Sequence, residues 1–261
     1  MELSLSIITI LLISGLVVGF INTLAGGGSA ISLTVFMALG MPVHIANGTN
    51  RIAILMQNLS STAIFSRKGM LDWRGGLRLG IPAIAGAIVG AQIAATIDER
   101  IFHICLVVVM ASVLVFTLLG DRLLHRNGAP VHKFRPLHYM VFFLIGIYCG
   151  YIFVGTGYLI LLSTMGLLHM GIVRSNVIKN FISLLAIPFS LLVFVLNGEV
   201  NWMYGLVHGA GNTVGAFLAS NYAIGWGTKF LRWFMVVVVL FCLADVTGLI
   251  SIREFILSMI N

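Results

Sequence analysis

Charge is scarce in this chain. Its 261 residues include 15 Lys or Arg and 8 Asp or Glu, so charged side chains make up 9% of the sequence, whereas a soluble domain carries about 25%. So little charge cannot cover a water-facing surface, and lipid is the expected solvent. The net charge of +7 comes without a basic run or an aromatic-interleaved basic patch, which argues against nucleic-acid binding.

Cysteine is also rare. Cys105, Cys149 and Cys242 are far apart within apolar runs and form no C-x-x-C pair. This spacing indicates neither a disulfide framework nor a metal site. We expect three buried free thiols, no metal and no cofactor.

Apolar runs are what the chain has in abundance. Hydrophobic residues make up 59% of it, and the mean hydropathy is +1.08. A membrane-spanning helix needs roughly 20 apolar residues, so the length allows about ten segments. The first run, 3–24, follows no basic leader and is predicted to be a retained helix. These features predict an all-α, multi-pass protein of the plasma (inner) membrane.

Run lengths and chain breaks place the segments. They are 3–24, 29–41, 45–66, 75–96, 101–120, 137–154, 158–170, 174–196, 203–224 and 231–250. Segments 29–41 and 158–170 rise only about 20 Å, too short for a core of about 30 Å. Each of the two follows a glycine-rich triplet, which predicts discontinuous helices.

The second half of the chain repeats the first at a shift of 129 residues. Residues 26–28 (GGG) fall on 155–157 (GTG), and 69–73 (GMLDW) fall on 198–202 (GEVNW), with no gap. We therefore predict one repeat over 1–120, a linker over 121–136 and a second repeat over 137–261. Paired repeats with glycine-interrupted helices are typical of transporters.

Loop charges predict that the repeats are inverted. Loop 67–74 and the linker 121–136 carry several cations and are expected in the cytoplasm, whereas loop 197–202 carries only an acid and is expected outside. Region 225–232 is basic where its counterpart 98–100 is mostly acidic. Matching loops thus lie on opposite sides, which requires an odd number of crossings per repeat, and five segments satisfy that.

The two glycine-rich triplets form the first candidate binding motif. Three successive small residues leave backbone N–H groups unobstructed, and a helix that starts inside the membrane presents donors and a positive dipole end to an anion. Tight turns or close helix packing would explain the glycines alone. The candidate residues are Asn22, Gly26, Gly27, Gly28, Ser29 (the expected N-cap of the second segment), Gly155, Thr156 and Gly157.

Two polar clusters form the second candidate motif. Thr49, Asn50 and Arg51 lie in one apolar segment, and Lys179 and Asn180 lie at nearly matching positions in another. A cation inside the membrane costs roughly 2.5–3.5 kcal/mol on insertion scales, which favours a functional role. Snorkelling of the long side chains to the interface is the alternative.

In combination these residues resemble the sulfite exporter TauE/SafE family, also called the toluene-sulfonate uptake permease family. The resemblance covers residues 15 to about 248. It is carried by residues 19–22 (GFIN), 25–28 (AGGG), 48–51 (GTNR), 67–69 (RKG), 155–157 (GTG), 179–180 (KN) and the pair Gly198 and Trp202. It implies secondary transport of a small sulfur-containing anion such as sulfite or a sulfonate. Arg51 stands where the family more usually has Lys, which keeps the charge and offers a planar fork to oxyanion oxygens.

Three further polar residues are candidates for the transport path or for ion coupling. His208 and Asn212 share one helix face, where they relay protons or form a helix–helix hydrogen bond. Asp245 is an acid within a predicted span and is a candidate proton carrier. Sequence does not decide between these roles.

The function that we predict is alternating-access transport of an anion held between the two repeats by the glycine turns, Arg51 and Lys179. An anion channel is the alternative within transport. An intramembrane serine hydrolase that uses Ser29 and His208 is the alternative in another class, and it leaves the duplication unexplained. We expect a transporter and not an enzyme.

Overall fold

The computed structural model describes residues 4–24, 26–119, 134–223, 236–237 and 240–244. Within those ranges the regular structure is helical and includes no strand. The helices are α1 (Leu5–Leu24), α2 (Ser29–Ala38), α3 (Val43–Arg67), α4 (Trp73–Thr96), α5 (Glu99–Leu119), α6 (Pro136–Tyr151), α7 (Thr156–Gly166), α8 (Ile172–Leu196) and α9 (Trp202–Leu218), and α9 continues into a π-helical turn (Ala219–Ala223).

The all-α prediction is confirmed for this part of the chain, and the first nine predicted segments correspond to α1 through α9. The two short helices are present, with 10 residues in α2 and 11 in α7. Most of the predicted linker 121–136 and of segment 231–250 lies outside the described residues. The division into two repeats stays a prediction.

Three of the described helices, α1, α4 and α8, are long and apolar enough to cross a membrane. Their outer faces leave large apolar side chains uncovered: Ile13 of α1 is 62% exposed and Ile81 of α4 is 64% exposed. Such exposure suits contact with lipid and not with water. Helix α3 is as long as α8, with 25 residues each, but α3 carries a stripe of polar side chains along its buried face.

Small residues bring several helix pairs into backbone contact and show their relative directions. In α1, Gly15 and Gly19 lie against His208 and Asn212 of α9, respectively, so residue numbers rise together and the two helices are parallel. Helices α4 and α6 are parallel by the same criterion. The pair α3 and α9 and the pair α4 and α8 are parallel as well.

The two longest helices, α3 and α8, pack in opposite directions. Near the end of α3, Ser61 Oγ lies 3.2 Å from Asn180 Oδ1, near the start of α8. Near the start of α3, Gly48 lies against Phe194, near the end of α8. Helices α1, α3 and α9 therefore run one way, and α4, α6 and α8 run the other.

The start of α4 is held by an acidic cap. Asp72 Oδ1 accepts a hydrogen bond of 2.9 Å from Gly75 N, and Asp72 Oδ2 accepts one of 2.7 Å from Arg174 Nη2. The backbone bond lowers the pKa of Asp72, burial opposes it, and Arg174 lowers it further. At the equivalent place before α9, Asn201 Oδ1 accepts from Tyr204 N at 3.2 Å.

Replacing Asp72 with alanine should lower the free energy of unfolding by about 1 kcal/mol, the usual cost of a lost N-cap. The depressed pKa means that this contribution is present above the unfolded value of about 3.9 and is lost as the pH falls through the folded value. Thermal unfolding in detergent at several pH values measures it.

Arg174→Ala is the matched control for that change. The exposed fractions of the Arg174 and Asp72 side chains are 45% and 33%, and ion pairs this exposed contribute only about 0–1 kcal/mol. A loss in Arg174→Ala as large as in Asp72→Ala would show that the ion pair, and not the cap, carries the effect.

Candidate functional site

The two glycine-rich links meet in the interior of the fold. Gly26, in the link between α1 and α2, has φ +86°, and a Cβ on it would overlap the backbone of Gly157. A Cβ on Gly157 would likewise overlap Gly26. Gly155, with φ +73°, is the N-cap of α7. The left-handed backbone and the close approach both require glycine.

Ser29 does not cap α2, and that prediction is wrong. Gly28 is the N-cap residue and Ser29 is the first helical residue. Its Oγ instead accepts a hydrogen bond of 3.1 Å from Asn22 Nδ2. Gly28 has α-helical backbone angles, whereas a capping serine needs an extended backbone.

Lys179 reaches from α8 to the end of α1. Its Nζ donates to Asn22 O and to Thr23 O, both at 2.8 Å, and the side chain is 2% exposed. These carbonyls belong to the last turn of α1, the negative end of the helix dipole, so they compensate the buried charge. An ammonium has three N–H donors, so these two bonds leave one for another acceptor.

Arg51 of α3 binds backbone carbonyls at the end of α6 in the same way. Its Nη2 donates to Gly150 O at 2.9 Å and to Asn47 Oδ1 at 3.3 Å, and its Nη1 donates to Cys149 O. The guanidinium carbon lies 5.9 Å from the ring centroid of Phe153 and 5.3 Å from that of Phe194. Each cation therefore binds the last turn of the first helix in the other half of the chain.

The two cations lie at different levels of the bundle. Arg51 is ten residues before Ser61 on α3, about 15 Å of helix rise, and Ser61 contacts Asn180, the neighbour of Lys179. An apolar cluster lies between these two levels. This central apolar cluster consists of Ile54, Ala87, Cys149, Phe153, Ala186 and Ile187, joined by the half-buried Leu55.

The two levels differ in polarity. Three members of the central apolar cluster, Ile54, Ala186 and Ile187, correspond at the 129-residue shift to Ser183, Gln57 and Asn58. All three of these polar counterparts are buried. Buried polar side chains therefore stand near the Lys179 level at positions where the central apolar cluster has apolar ones, and the polar neighbours of Arg51 on α3 are Asn47 and Asn50.

Asn22 organises the polar surroundings of Lys179. Its Nδ2 donates to Ser29 Oγ at 3.1 Å and to Gln57 Oε1 at 3.3 Å, and Asn180 Nδ2 donates to Thr23 O at 3.2 Å. Asn22 Oδ1 and Thr23 Oγ1 are buried without a hydrogen-bond partner in the described part of the chain. Buried polar atoms are rarely left unpaired, so such atoms indicate a place for water or a ligand.

His208 is fully buried where α9 meets α1 and α2. Its Nε2 lies 2.9 Å from Ser32 Oγ, and its Nδ1 lies 3.0 Å from Leu11 O and 3.3 Å from Ser14 Oγ. The suggested pairing of Ser29 with His208 is wrong, because a different serine, one turn along α2, faces the imidazole. Asn212 Nδ2 donates to His208 O at 3.1 Å.

The remaining candidates make separate contacts or belong to the two glycine-rich links. Thr49 Oγ1 accepts from Asn201 N at 2.9 Å, near the start of α9, and Thr156 Oγ1 donates to Ile152 O at 3.3 Å. Both amide atoms of the buried Asn50 have no partner among the described residues. Gly27 lies in the α1–α2 link, and Asp245 lies outside the described residues.

Sequence reasoning missed Ser32, Gln57 and Ser61. A signal for two of them was available: Gln57 and Ser61 continue the i, i+3 or i+4 spacing that begins at Asn47, along one face of α3. Ser32 carries no such signal, because only its contact with His208 marks it.

Replacing Arg51 with methionine should destabilise the protein by about 2–4 kcal/mol, because buried carbonyls of α6 lose charge-assisted bonds worth about 1.5–3 kcal/mol each. Arg51→Lys should recover part of the loss, since an ammonium cannot reproduce the planar fork. Thermal unfolding in detergent measures both. Equal stability of Arg51→Met and wild type would contradict the capping role.

Comparisons with known proteins find relatives over most of the chain. The family model described as "Sulfite exporter TauE/SafE" matches residues 11–246. The chain is 30% identical to a "Probable membrane transporter protein" of Haemophilus influenzae over 245 residues, 91% of this chain and 93% of that one. It is 27% identical to the "Probable membrane transporter protein ORF9" of a Sinorhizobium species, over 91% of each chain. No solved structure matches.

Proposed function

Because this chain belongs to the sulfite exporter TauE/SafE family, whose curated relatives are named probable membrane transporters, we propose that it carries a small sulfur-containing anion across the plasma membrane. The proposed substrate is sulfite, a sulfonate or a related organosulfur acid. The proposed mechanism is alternating access between two inverted repeats.

The observation that carries this proposal is the buried Lys179 beside the joined glycine turns. Its Cδ lies close to Gly157, and among the described residues its Nζ donates to two carbonyls at the end of α1. The Thr23 hydroxyl, buried and without a partner among the described residues, is a further donor beside it, and Asn22 and Asn180 hold the surrounding backbone and side chains in place through their own hydrogen bonds. A set of donors with one cation suits an oxyanion of low charge.

An anion bound here would compete with the α1 carbonyls for Lys179. The anion would take the third N–H of the ammonium and the unobstructed N–H groups of the glycine turn, and it would neutralise the charge that now faces the end of α1. Binding would therefore favour an arrangement in which α1 has separated from α8. This exchange of partners links substrate binding to helix movement.

The helix directions support the inverted repeat. At the 129-residue shift α1 corresponds to α6, α3 to α8 and α4 to α9, and each helix runs opposite to its counterpart. The packing is also matched between the halves. Helix α1 packs on α9, and their counterparts α6 and α4 pack on each other. Helix α3 also packs on α9, and its counterpart α8 packs on α4. Such symmetry lets one fold adopt two related arrangements, open to opposite sides.

Arg51 has a different role from Lys179 in this proposal. Its guanidinium is bonded to three acceptors and lies close to the rings of Phe153 and Phe194, beside the central apolar cluster. We assign it to holding the end of α6, and we place the anion at the Lys179 level.

Binding and counterflow test the proposal. Purified protein is screened by thermal stabilisation against sulfite, thiosulfate, sulfoacetate, taurine, methanesulfonate and sulfate, since a ligand at 100 times its Kd adds about 2.7 kcal/mol of stability. Proteoliposomes loaded with the best ligand should then show saturable counterflow. Single-channel current steps without counterflow would instead establish the anion channel.

A further inference from the structure

The hydrogen bonds of His208 identify which nitrogen carries its proton. Leu11 O can only accept, so Nδ1, 3.0 Å away, is the donor. Ser14 Oγ donates to Ile10 O at 2.6 Å and so can accept from the same N–H. Nε2 is therefore the unprotonated nitrogen, and Ser32 Oγ donates to it. The imidazole is therefore a buried base whose Nε2 can accept one proton.

We propose that His208 binds the proton that accompanies the anion, so that the protein is a proton–anion symporter. The proposal rests on the proposed function, because it assigns the driving ion of the same transport cycle. A proton adds to Nε2, which then donates to Ser32 Oγ. The Ser32 hydroxyl turns its own proton to Gly28 O, four residues back, the usual partner of a serine inside a helix.

This movement reaches the anion site through the first turn of α2. Gly28 belongs to the glycine turn, and Ser29, one turn before Ser32, accepts from Asn22 Nδ2. Asn22 O in turn accepts from Lys179 Nζ. A change at His208 therefore alters the turn that contributes N–H donors to the anion.

Electrostatics couples the two ligands in the same direction. Helices α1 and α2, which supply the partners of His208, carry no ionisable side chain within their bounds. The other described elements packed against this site contribute Tyr204 on α9, Tyr222 on the π-helical turn, and His44, Arg51 and Arg67 on α3. None of these is an acid, so within the described part of the chain an imidazolium here has no counter-charge until an anion arrives. Each ligand then raises the affinity for the other by the same factor.

Methanesulfonate is the decisive probe, because a sulfonate stays ionised at neutral pH and any proton that moves with it must be carried by the protein. Proteoliposomes with the wild-type protein, an imposed pH gradient and a membrane potential clamped to zero should accumulate it on the alkaline side. One proton per anion gives about tenfold accumulation for each pH unit. Purified wild-type protein should take up about one proton for each anion that binds, measured with a pH dye.

His208→Gln separates coupling from transport. The amide fills the space without titrating. With a gradient of one pH unit, accumulation should therefore fall about tenfold, to equal anion concentrations on the two sides. Anion exchange with the same pH on both sides should continue. His103→Gln, on α5 and away from the site, should behave as wild type. Accumulation by wild type that ignores the pH gradient, or binding without proton uptake, would overturn the proton site. Failure of wild type to exchange any anion would overturn the proposed function itself.

Discussion

Lys179→Gln should abolish sulfonate transport while the helical fold persists. The glutamine amide can still donate to one carbonyl of α1, but the charge that binds the anion is gone. Truncating one member of a buried, hydrogen-bonded charge pair costs about 2–5 kcal/mol, which corresponds to a decrease in affinity of about 30-fold to several thousandfold. Counterflow in proteoliposomes and thermal stabilisation by the anion both measure the loss.

Lys68→Gln is a matched control for this change. Lys68 Nζ also donates to a helix-end carbonyl, Ser220 O, at 2.9 Å, but it lies away from the glycine turns. Its loss should affect stability slightly and leave transport near the wild-type rate. Lys179→Arg should retain part of the binding, because it keeps the charge. Wild-type flux in Lys179→Gln would show that the anion binds elsewhere.

Gly26→Ala should be the most destabilising single-methyl change at the site. A left-handed backbone costs an alanine about 1–2 kcal/mol, and the new methyl would overlap the backbone of Gly157. Overpacking against backbone adds about 1–3 kcal/mol, so we expect a total loss of about 3 kcal/mol or more. Thermal unfolding in detergent and the yield of folded protein report it.

Gly69→Ala isolates the backbone contribution. Gly69 has φ +67° but nothing within 4 Å of the position that its Cβ would take, so only the cost of about 1–2 kcal/mol applies. The difference between the two variants measures the contact between the glycine turns. Equal losses would mean that the turns can separate without cost, and would argue against a tightly joined centre.

The features that could be predicted from sequence are those set by local chemistry. A glycine-rich triplet followed by 10 or so apolar residues predicts a break and a short helix, because backbone freedom and run length act within one stretch of chain. The cation-bearing clusters of α3 and α8 were visible for the same reason, since a charge in an apolar run is unusual wherever the helix packs.

Partners across the chain could not be predicted in this way. Ser29 and Ser32 lie one turn apart on α2, and only the position of α9 along that helix decides which of them meets His208. The same holds for Asn22, whose side chain joins Ser29 to Gln57. A shift of one turn in helix packing, about 5.4 Å, would exchange these partners.

By itself, the sequence determined that this is a helical membrane protein with a repeated glycine motif and a cation inside an apolar run of each half, because apolar length, glycine and charge each act locally. Only the tertiary structure decided what the cations do. Arg51 and Lys179 each hold the carbonyl end of a helix about 100 or more residues away, at levels about 15 Å apart. That outcome depends on the antiparallel packing of α3 and α8, which places each cation beside a helix end in the other half.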